Sequence, residues 1–245
     1  PTEAAPQYHI TDLGVLPGAA ESYATAINDS GQVVGWCVGG SFGTSPEAFL
    51  WTREGGMIDL GQLPGGVTSY ATGINNQGQV VGGSAWNFYQ DGSSTPIGTV
   101  NAFLWDSGNG MQLLPGVGGG PSDATGINDN GQVIGQIGNT VGLNRGAVWD
   151  GAGGFQTLPP RPPGGFDDES LAIEINNNGL VLGLAVPLPG DPVNGYQRYV
   201  VWNSAGDALY DLGAYSSHTM ALNNNNQAAV VSALNGHVQL WSPTG

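Results

Sequence analysis

The sequence has no lysine, a single cysteine and few charged residues, and each shortage argues against a class of protein. Its only basic side chains are four arginines, which against 19 acidic residues leave a net charge of −15. Nucleic acids and anionic membranes are bound through basic surfaces, so this charge argues against both as partners. Cys37 stands alone, which rules out an intramolecular disulfide. No apolar run approaches the length of a membrane span, so membrane insertion is not expected.

Glycine, by contrast, is abundant. It accounts for 43 of the 245 residues, while only 9% of residues are charged, a composition that leaves little material for long polar helices. An acidic surface keeps a glycine-rich chain soluble. No signal peptide is present, and the start "PTEAAPQYHI" fits a mature end left by signal removal. We therefore expect an extracellular or cell-surface location.

One ten-residue pattern recurs five times along the chain. It reads "GINNQGQVVG" at residues 73–82, and the asparagine of its "IN" pair returns every 47 to 53 residues, at Asn28, Asn75, Asn128, Asn176 and Asn223. A tryptophan that ends a short apolar run recurs with it, at Trp51, Trp105, Trp149, Trp202 and Trp241. A third marker, "DLG" or a relative, keeps its place in the same order. The chain therefore contains five repeat units.

Each unit contains four short segments with strand character, which we name A to D. In the first unit these are "YATAIN", "QVVGWCV", "AFLWT" and "MIDLG". The link from A to B ends in glycine, or in Asn226 in the fifth copy, as a tight hairpin with a positive-φ residue requires. Four antiparallel strands repeated five times predict an all-β fold, a five-bladed β-propeller. A stacked solenoid is the alternative, but it would need capping repeats at its ends.

The two ends of the chain fit a closed ring. The fifth unit stops after its C segment, "VQLWSP", and a matching D segment, "YHITDLG", lies at residues 8–14. We therefore predict that residues 8–14 complete the last blade, behind a short tail at residues 1–7. The units of this single domain then span residues 15–62, 63–114, 115–158, 159–213, and 214–245 together with 8–14. The same strand could instead dock on a neighbouring molecule and build a homopolymer.

Together, "AFLW", "DLG" with "LPGG", and "GIN" with "GQVVG" resemble the HAF-type extracellular repeat, a family named for a His-Ala-Phe triplet. The resemblance extends from Tyr8 to Trp241 and implies a secreted or surface-exposed bacterial repeat protein without a settled activity. Only His237 keeps the histidine of the triplet. The other four units replace it with Glu47, Asn101, Arg145 and Arg198. A functional ring of histidines is therefore not expected.

The residues that recur are predicted to be structural, and function is expected where the units differ. Asparagine before a turn bonds its own backbone, and the tryptophans pack between sheets. Loops held by a rigid scaffold usually carry function. Three uneven loops supply the candidate ligand-binding residues Trp86, Phe88, Tyr89, Asp91, Arg161, Asp167, Asp168 and Tyr196. Exposed aromatics beside carboxylates suit an extracellular glycan or a protein surface.

A second candidate set lies on the A segments, which would line a central channel: Glu21, Asp123, Glu169, His218 and Glu174. The first three carboxylates support a hydrolase hypothesis, because glycoside hydrolysis needs a carboxylate pair. They lie at different registers, which counts against it. Glu174 stands where the other units have alanine or glycine. A carboxylate inside this innermost strand needs a hydrogen-bond partner, channel water or a cation.

No cofactor is predicted. A Ca²⁺ ion is conceivable at Asp167 and Asp168, but no loop has a calcium-binding spacing, so metal binding stays unknown. The sequence thus predicts a secreted, non-enzymatic propeller that serves as a structural or adhesive module, partnered by itself or by extracellular glycan. A lectin-like propeller is the first alternative and a glycoside hydrolase the second.

Overall fold

The structure, a computed structural model, describes residues 8–43, 45–85, 99–138, 144–151, 154–159, 169–185, 197–233 and 235–243. It leaves out the side chains of residues 42 and 215–219. Within these residues the fold is all β, with antiparallel strands and two single-turn 3₁₀ helices at Gly40–Phe42 and Val117–Gly119. The predicted all-β class is confirmed.

Three units each form a separate four-stranded antiparallel sheet whose strands follow chain order. The first sheet contains β1 (Glu21–Ile27), β2 (Val33–Val38), β3 (Glu47–Thr52) and β4 (Gly56–Asp59). The second contains β5 (Thr68–Ile74), β6 (Val80–Ala85), β7 (Val100–Asp106) and β8 (Gly110–Leu113). The third contains β9 (Ser122–Ile127), β10 (Val133–Gly138), β11 (Asn144–Trp149) and β12 (Phe155–Thr157). These strands match segments A to D, and the sheets are propeller-like.

The fourth and fifth units share one long strand. The fourth unit begins with β13 (Ser170–Ile175), β14 (Leu180–Ala185) and β15 (Arg198–Asn203). Strand β16 (Ala208–Leu222) completes this sheet and then, past a register irregularity, becomes the first strand of the fifth unit. The fifth unit continues with β17 (Ala228–Ser232) and β18 (Val238–Trp241). It therefore has three described strands, in one connected six-stranded sheet with the fourth unit.

The hairpin that joins the first two strands of a unit has the predicted backbone. Asn226, in the fifth unit, has φ of 62°, and the corresponding glycines of the other units also have positive φ: Gly31, Gly78, Gly131 and Gly179. A glycine or an asparagine is the residue type that accepts this conformation most easily. The short link therefore closes the hairpin without backbone strain.

The last glycine of "GQVVG" has a different role, which the sequence reasoning missed. The first strand of each complete unit carries a β-bulge, between Ala24 and Ala26 in β1. The bulge brings that strand so close to the second that a Cβ on Gly35 would lie 1.8 Å from the carbonyl oxygen of Tyr23. Gly82, the equivalent residue, has the same clash at 1.9 Å. Only glycine fits where the two backbones approach this closely.

Successive units pack face to face through apolar clusters, and we call each such interface a joint. The joint between the first and second units contains Leu50, Leu60 and Phe103 among its buried residues. A residue on the fourth strand lies opposite the recurring tryptophan of the third strand, as Met111 lies opposite Trp105, and both join the cluster. The core is therefore a series of repeated joints between sheets.

The predicted closing strand is not assigned as a strand in this structure. Residues 8–16 have no strand assignment, and Tyr8 and Ile10 are exposed. The segment packs on the first unit, where Leu13 and Leu16 contact the core and Ser22 Oγ donates a 2.8 Å hydrogen bond to Gly14 O. The N-terminal segment thus contacts the first unit without pairing with β18.

Candidate functional site

The recurring asparagines form a chain of contacts from unit to unit. The Asn28 side chain donates to the carbonyl oxygen of Asn75, 3.0 Å away, and Asn75 donates to Asn128 at 3.1 Å. Asn128 donates to Asn176, and Asn176 to Asn223, both at 2.9 Å. Each amide therefore bridges two turns that are 47 to 53 residues apart in sequence.

The first four of these asparagines use their whole hydrogen-bonding capacity. A side-chain amide has two N–H donors and two acceptor lone pairs. In Asn75, one N–H reaches Asn128 O and the other Gln79 Oε1, while Oδ1 accepts from the backbone N–H groups of Gln77 and Gln79. Asn75 is only 3% exposed. Such a group has nothing left to offer a ligand, which makes it part of the scaffold.

A second polar row follows directly after the asparagines. The backbone N–H of Asp29 donates to Asn76 Oδ1 at 3.0 Å, and that of Asn76 donates to Asp129 Oδ1 at 2.9 Å. The row continues from Asp129 to Asn177 and from Asn177 to Asn224. Hydrogen bonds from the Asn76 backbone and from neighbouring side-chain amides hold the pKa of Asp129 below its usual value. The carboxylates of this row are thus engaged by their neighbours.

These two rows border a polar depression of ≈ 400 Å³. All five units contribute to it, each with an aliphatic residue, the recurring asparagine and the residue after it, as Ile74, Asn75 and Asn76 do in the second unit. The depression lies at the turn end of the first strands. It therefore lies at the opposite end of these strands from the predicted channel residue Asp123, roughly 16 Å along the five-residue span from Asp123 to Asn128.

Serine and threonine rows tie the units together further along the same strands. Ser69 Oγ donates to Gly61 O at 2.7 Å and accepts from the backbone N–H of Ala48, in the preceding unit, at 3.0 Å. Thr25 Oγ1, at the bulge, donates across the joint to Ala71 O at 2.8 Å. Equivalent serines in the other complete units, Ser22, Ser122 and Ser170, also donate to a backbone carbonyl oxygen. The sequence reasoning missed the threonines, although their fixed position in the first three units was a usable signal.

Glu174 has a structural partner at the joint between the fourth and fifth units. Its Oε2 accepts the backbone N–H of Leu222 at 2.5 Å. Burial raises the pKa of Glu174, and the Leu222 bond lowers it. The neighbouring residue, Ile173, stands where the first three units have the bridging threonine. The carboxylate therefore supplies a contact between units that lacks its threonine.

The other predicted channel residues are not drawn into one cluster. Glu21 accepts from the hydroxyl of Tyr23 at 2.6 Å, and Asp123 accepts from the hydroxyl of Tyr70 at 3.0 Å. Among the described residues, Glu169 accepts a long 3.5 Å bond from the backbone N–H of Asn144. His218 lies in β16, and its side chain is outside the described part. Each carboxylate thus has its own partner, as their different registers indicated.

Asp123 is nevertheless the most perturbed acid of the described chain. Burial raises its pKa to about 6, while hydrogen bonds from Tyr70 and from the backbone of Ala124 lower it. Burial is also the largest cause that raises the pKa of Tyr70, followed by the Asp123 charge and hydrogen bond. The pair joins β5 to β9 and can hold or release a proton in mildly acidic conditions. A single acid of this kind lacks the second carboxylate that glycoside hydrolysis requires.

The predicted ligand-binding loops lie outside the described residues. This applies to Trp86, Phe88, Tyr89, Asp91, Arg161, Asp167, Asp168 and Tyr196. Among the side chains that are described, no group of three or more His, Cys, Asp or Glu residues could hold a metal ion. Cys37 is buried, and burial raises its pKa. The candidate site therefore consists of the turn-end depression and the Tyr70–Asp123 pair.

Comparisons with models of known protein families and with curated protein sequences found no match to the chain. The resemblance to HAF-type repeats therefore stays a prediction. In the described part of the chain, no helix has the length and apolar character needed to cross a membrane.

Proposed function

We propose that the protein is a secreted, non-enzymatic structural or adhesive module built as a five-bladed propeller. The observation that carries the proposal is the use of the recurring asparagines. In the first four units their side chains are fully used by bonds within their own turn and to the next unit, and the serine and threonine rows add further contacts between units. A repeat whose polar residues all support the scaffold is suited to a rigid element that presents variable loops.

Composition supports a role outside the cell. The chain has a net charge of −15, which keeps a glycine-rich surface soluble, and its motifs resemble an extracellular repeat. In the proposed molecule, residues 8–14 complete the last blade, so that five four-stranded blades surround the depression. Its partners are extracellular surfaces or other secreted macromolecules, bound through the three uneven loops.

Protease treatment of intact cells that produce the protein tests the location. We expect mass spectrometry to find its peptides among those released, while a cytosolic marker stays protected. Peptides that appear only after lysis would contradict the proposal.

A glycan array and an activity screen separate the structural role from its two rivals. We expect neither binding nor turnover. Glycan binding that disappears in Trp86→Ala and Tyr89→Ala would make the protein a lectin. Glycoside hydrolysis that disappears in the combined Glu21→Gln, Asp123→Asn and Glu169→Gln variant would make it an enzyme.

A further inference from the structure

The four joints that connect units one to five follow one hydrogen-bonding rule. In each joint the earlier unit donates to the later one, from the asparagine side chain to the next asparagine's carbonyl oxygen. The residue after the asparagine also donates, from its backbone N–H to the next unit's Asx side chain. The rule therefore specifies what a fifth joint, from unit five back to unit one, would require.

The fifth unit holds the required donors without using them for such a joint. Asn223 makes three of the four bonds that its counterparts make: its side-chain N–H reaches Gln227, and its Oδ1 accepts from Asn225 and Gln227. Its second N–H, which would reach the next unit, has no partner among the described residues. The first unit presents the matching acceptors, the carbonyl oxygen of Asn28 and Oδ1 of Asp29. The donors and acceptors of the missing joint are thus both present.

Apolar surface is also left uncovered on both sides of the missing joint. Val238 and Leu240 on β18 are 70% and 67% exposed, whereas Ala48 and Leu50, which hold the same positions on β3, are 0% and 5% exposed. On the first unit, Ile27 is exposed, while its counterpart Ile74 is buried. Exposed strands with apolar faces of this kind are normally covered by a partner.

The joint between the fourth and fifth units contains a cavity where a residue is missing. In the clusters around the first four tryptophans, the fourth strand supplies the residue opposite the tryptophan, in order Met57, Met111, Phe155 and Ala208. Beside Trp241 that residue is absent, and an apolar cavity of ≈ 410 Å³ lies there, lined by Leu209, Leu212 and Leu222 among others. Aligning "DLG" at residues 12–14 with "DLG" at residues 59–61 places Ile10 opposite Trp241. Ile10 is fully exposed in the structure.

Part of the N-terminal segment is already in the position that a closed ring needs. Leu13 and Leu16 pack against Phe49, Trp51 and neighbouring core residues of the first unit, as Leu60 and Leu63 pack against the second unit. The bond from Ser22 to Gly14 repeats the bond from Ser69 to Gly61. Only residues 8–12 have still to pair with β18. Because the turns of all five units border one depression, the two ends of the row face each other in a single molecule.

We propose that residues 8–14 of the same chain pair with β18 in a defined register: Asp12 opposite Gln239, Thr11 opposite Leu240, and Ile10 opposite Trp241, with the Ile10 side chain in the cavity. Asn223 then donates to Asn28 O, the backbone N–H of Asn224 donates to Asp29 Oδ1, and the backbone N–H of Val238 reaches Ser22 Oγ. This inference rests on the five-bladed ring of the proposed function and supplies the contacts that close it.

A designed disulfide tests the register and the identity of the partner. Residues directly opposite in an antiparallel pair have Cα atoms roughly 4.5–5.5 Å apart, within disulfide range. The Asp12→Cys, Gln239→Cys variant should therefore oxidise to a crosslinked monomer that runs faster on a denaturing gel without reductant. The matched control, Thr11→Cys with Gln239→Cys, places its thiols on opposite faces of the sheet and should not crosslink. The variants with one substitution, Asp12→Cys or Gln239→Cys alone, control for crosslinks formed with the native Cys37.

Two outcomes of the crosslinking experiment would overturn the proposal. A ladder of disulfide-linked oligomers would assign the strand to a neighbouring copy, and equal crosslinking in the control would refute the register. Ile10→Ala provides an independent measurement in a variant that needs no oxidation. Closure predicts a lower urea midpoint for Ile10→Ala than for Thr11→Ala, and equal midpoints would contradict it. None of these results depends on where the protein resides. The protease experiment on intact cells, which tests the location, can therefore succeed or fail independently of ring closure.

Discussion

Asn75 shows what one recurring residue contributes to stability. Its side chain makes four hydrogen bonds while nearly fully buried, so Asn75→Ala leaves several buried partners unsatisfied. Each unsatisfied buried group costs about 1–3 kcal/mol, and we expect a loss of about 3 kcal/mol in the free energy of unfolding. Urea denaturation measures it.

Asn203→Ala is the matched control for that experiment. Asn203 bonds its own turn in the same way, accepting from the backbone of Ala205 and Asp207, but it bridges no joint and its bonds are exposed. We expect a loss of about 1 kcal/mol or less for this variant, since water replaces the bonds. Equal losses in both variants would show that the joint bond contributes nothing.

Asp123 gives the stability a pH dependence with a definite sign. Burial raises its pKa to about 6 in the folded protein, against roughly 3.9 in an unfolded chain. The folded state therefore binds the proton more tightly, and the free energy of unfolding falls as pH rises from about 4 to about 6. Asp123→Asn keeps an acceptor for Tyr70 and removes this slope. It should gain at most about 3 kcal/mol at pH 7 relative to the wild type.

Urea unfolding of both proteins between pH 4 and pH 7 measures the difference. Tyr70→Phe serves as a comparison: it removes a hydrogen bond that lowers the pKa of Asp123, so its slope should extend to higher pH. Parallel pH profiles for wild type and Asp123→Asn would show that Asp123 titrates normally.

Sequence reasoning predicted part of these residue roles. The asparagine Oδ1 bonds lie within four residues and follow from turn chemistry, so they were predictable. The joint bond spans about fifty residues and depends on how two sheets are placed, which no local pattern encodes. The Tyr70–Asp123 pair was missed for the same reason, because its members belong to different units.

At the scale of the strand, the last glycine of the motif is required by the bulge. A Cβ at Gly82 would lie 1.9 Å from the carbonyl oxygen of Tyr70, so Gly82→Ala must push two strands apart. We expect a loss of roughly 3 kcal/mol or more in the free energy of unfolding.

Gly73→Ala is its counterpart in the same hairpin. The nearest atoms to a Cβ there are 3.4 Å away, and the first and fifth units already carry Ala26 and Ala221 at this position. We expect a change within about 1 kcal/mol for this variant. Thermal denaturation compares the two. A Gly82→Ala protein as stable as Gly73→Ala would mean that the bulge is absent in solution.

Strand order was predictable because segments A to D recur in one order and a short link joins A to B. The bulge was not, since it needs one residue more on the first strand than on the second, and the sequence shows only that a glycine recurs. The continuity of β16 was not predicted either. In the other units a link separates the fourth strand from the first strand of the next unit. In β16 the strand continues through Tyr215 instead.

At the scale of the whole molecule, the sequence predicted five units but did not show whether they close into a ring. The repeat markers predicted five units with four strands each, and four units have them. The fifth has three described strands, and the segment that matches its fourth lies more than 200 residues away in sequence, against the first unit. The predicted ligand loops fall outside the described residues, and the channel carboxylates have separate partners. The sequence therefore predicted the scaffold of the site but not an arrangement of functional residues on it.

The central claim is that five equivalent joints close the ring, and amide hydrogen exchange at Asn224 tests it most directly. The corresponding amides of Asp29, Asn76, Asp129 and Asn177 each donate across a joint. In a closed ring the Asn224 amide donates to Asp29, and we predict that it exchanges as slowly as those four. Exchange at the rate of an unprotected amide, with the other four protected, would contradict closure.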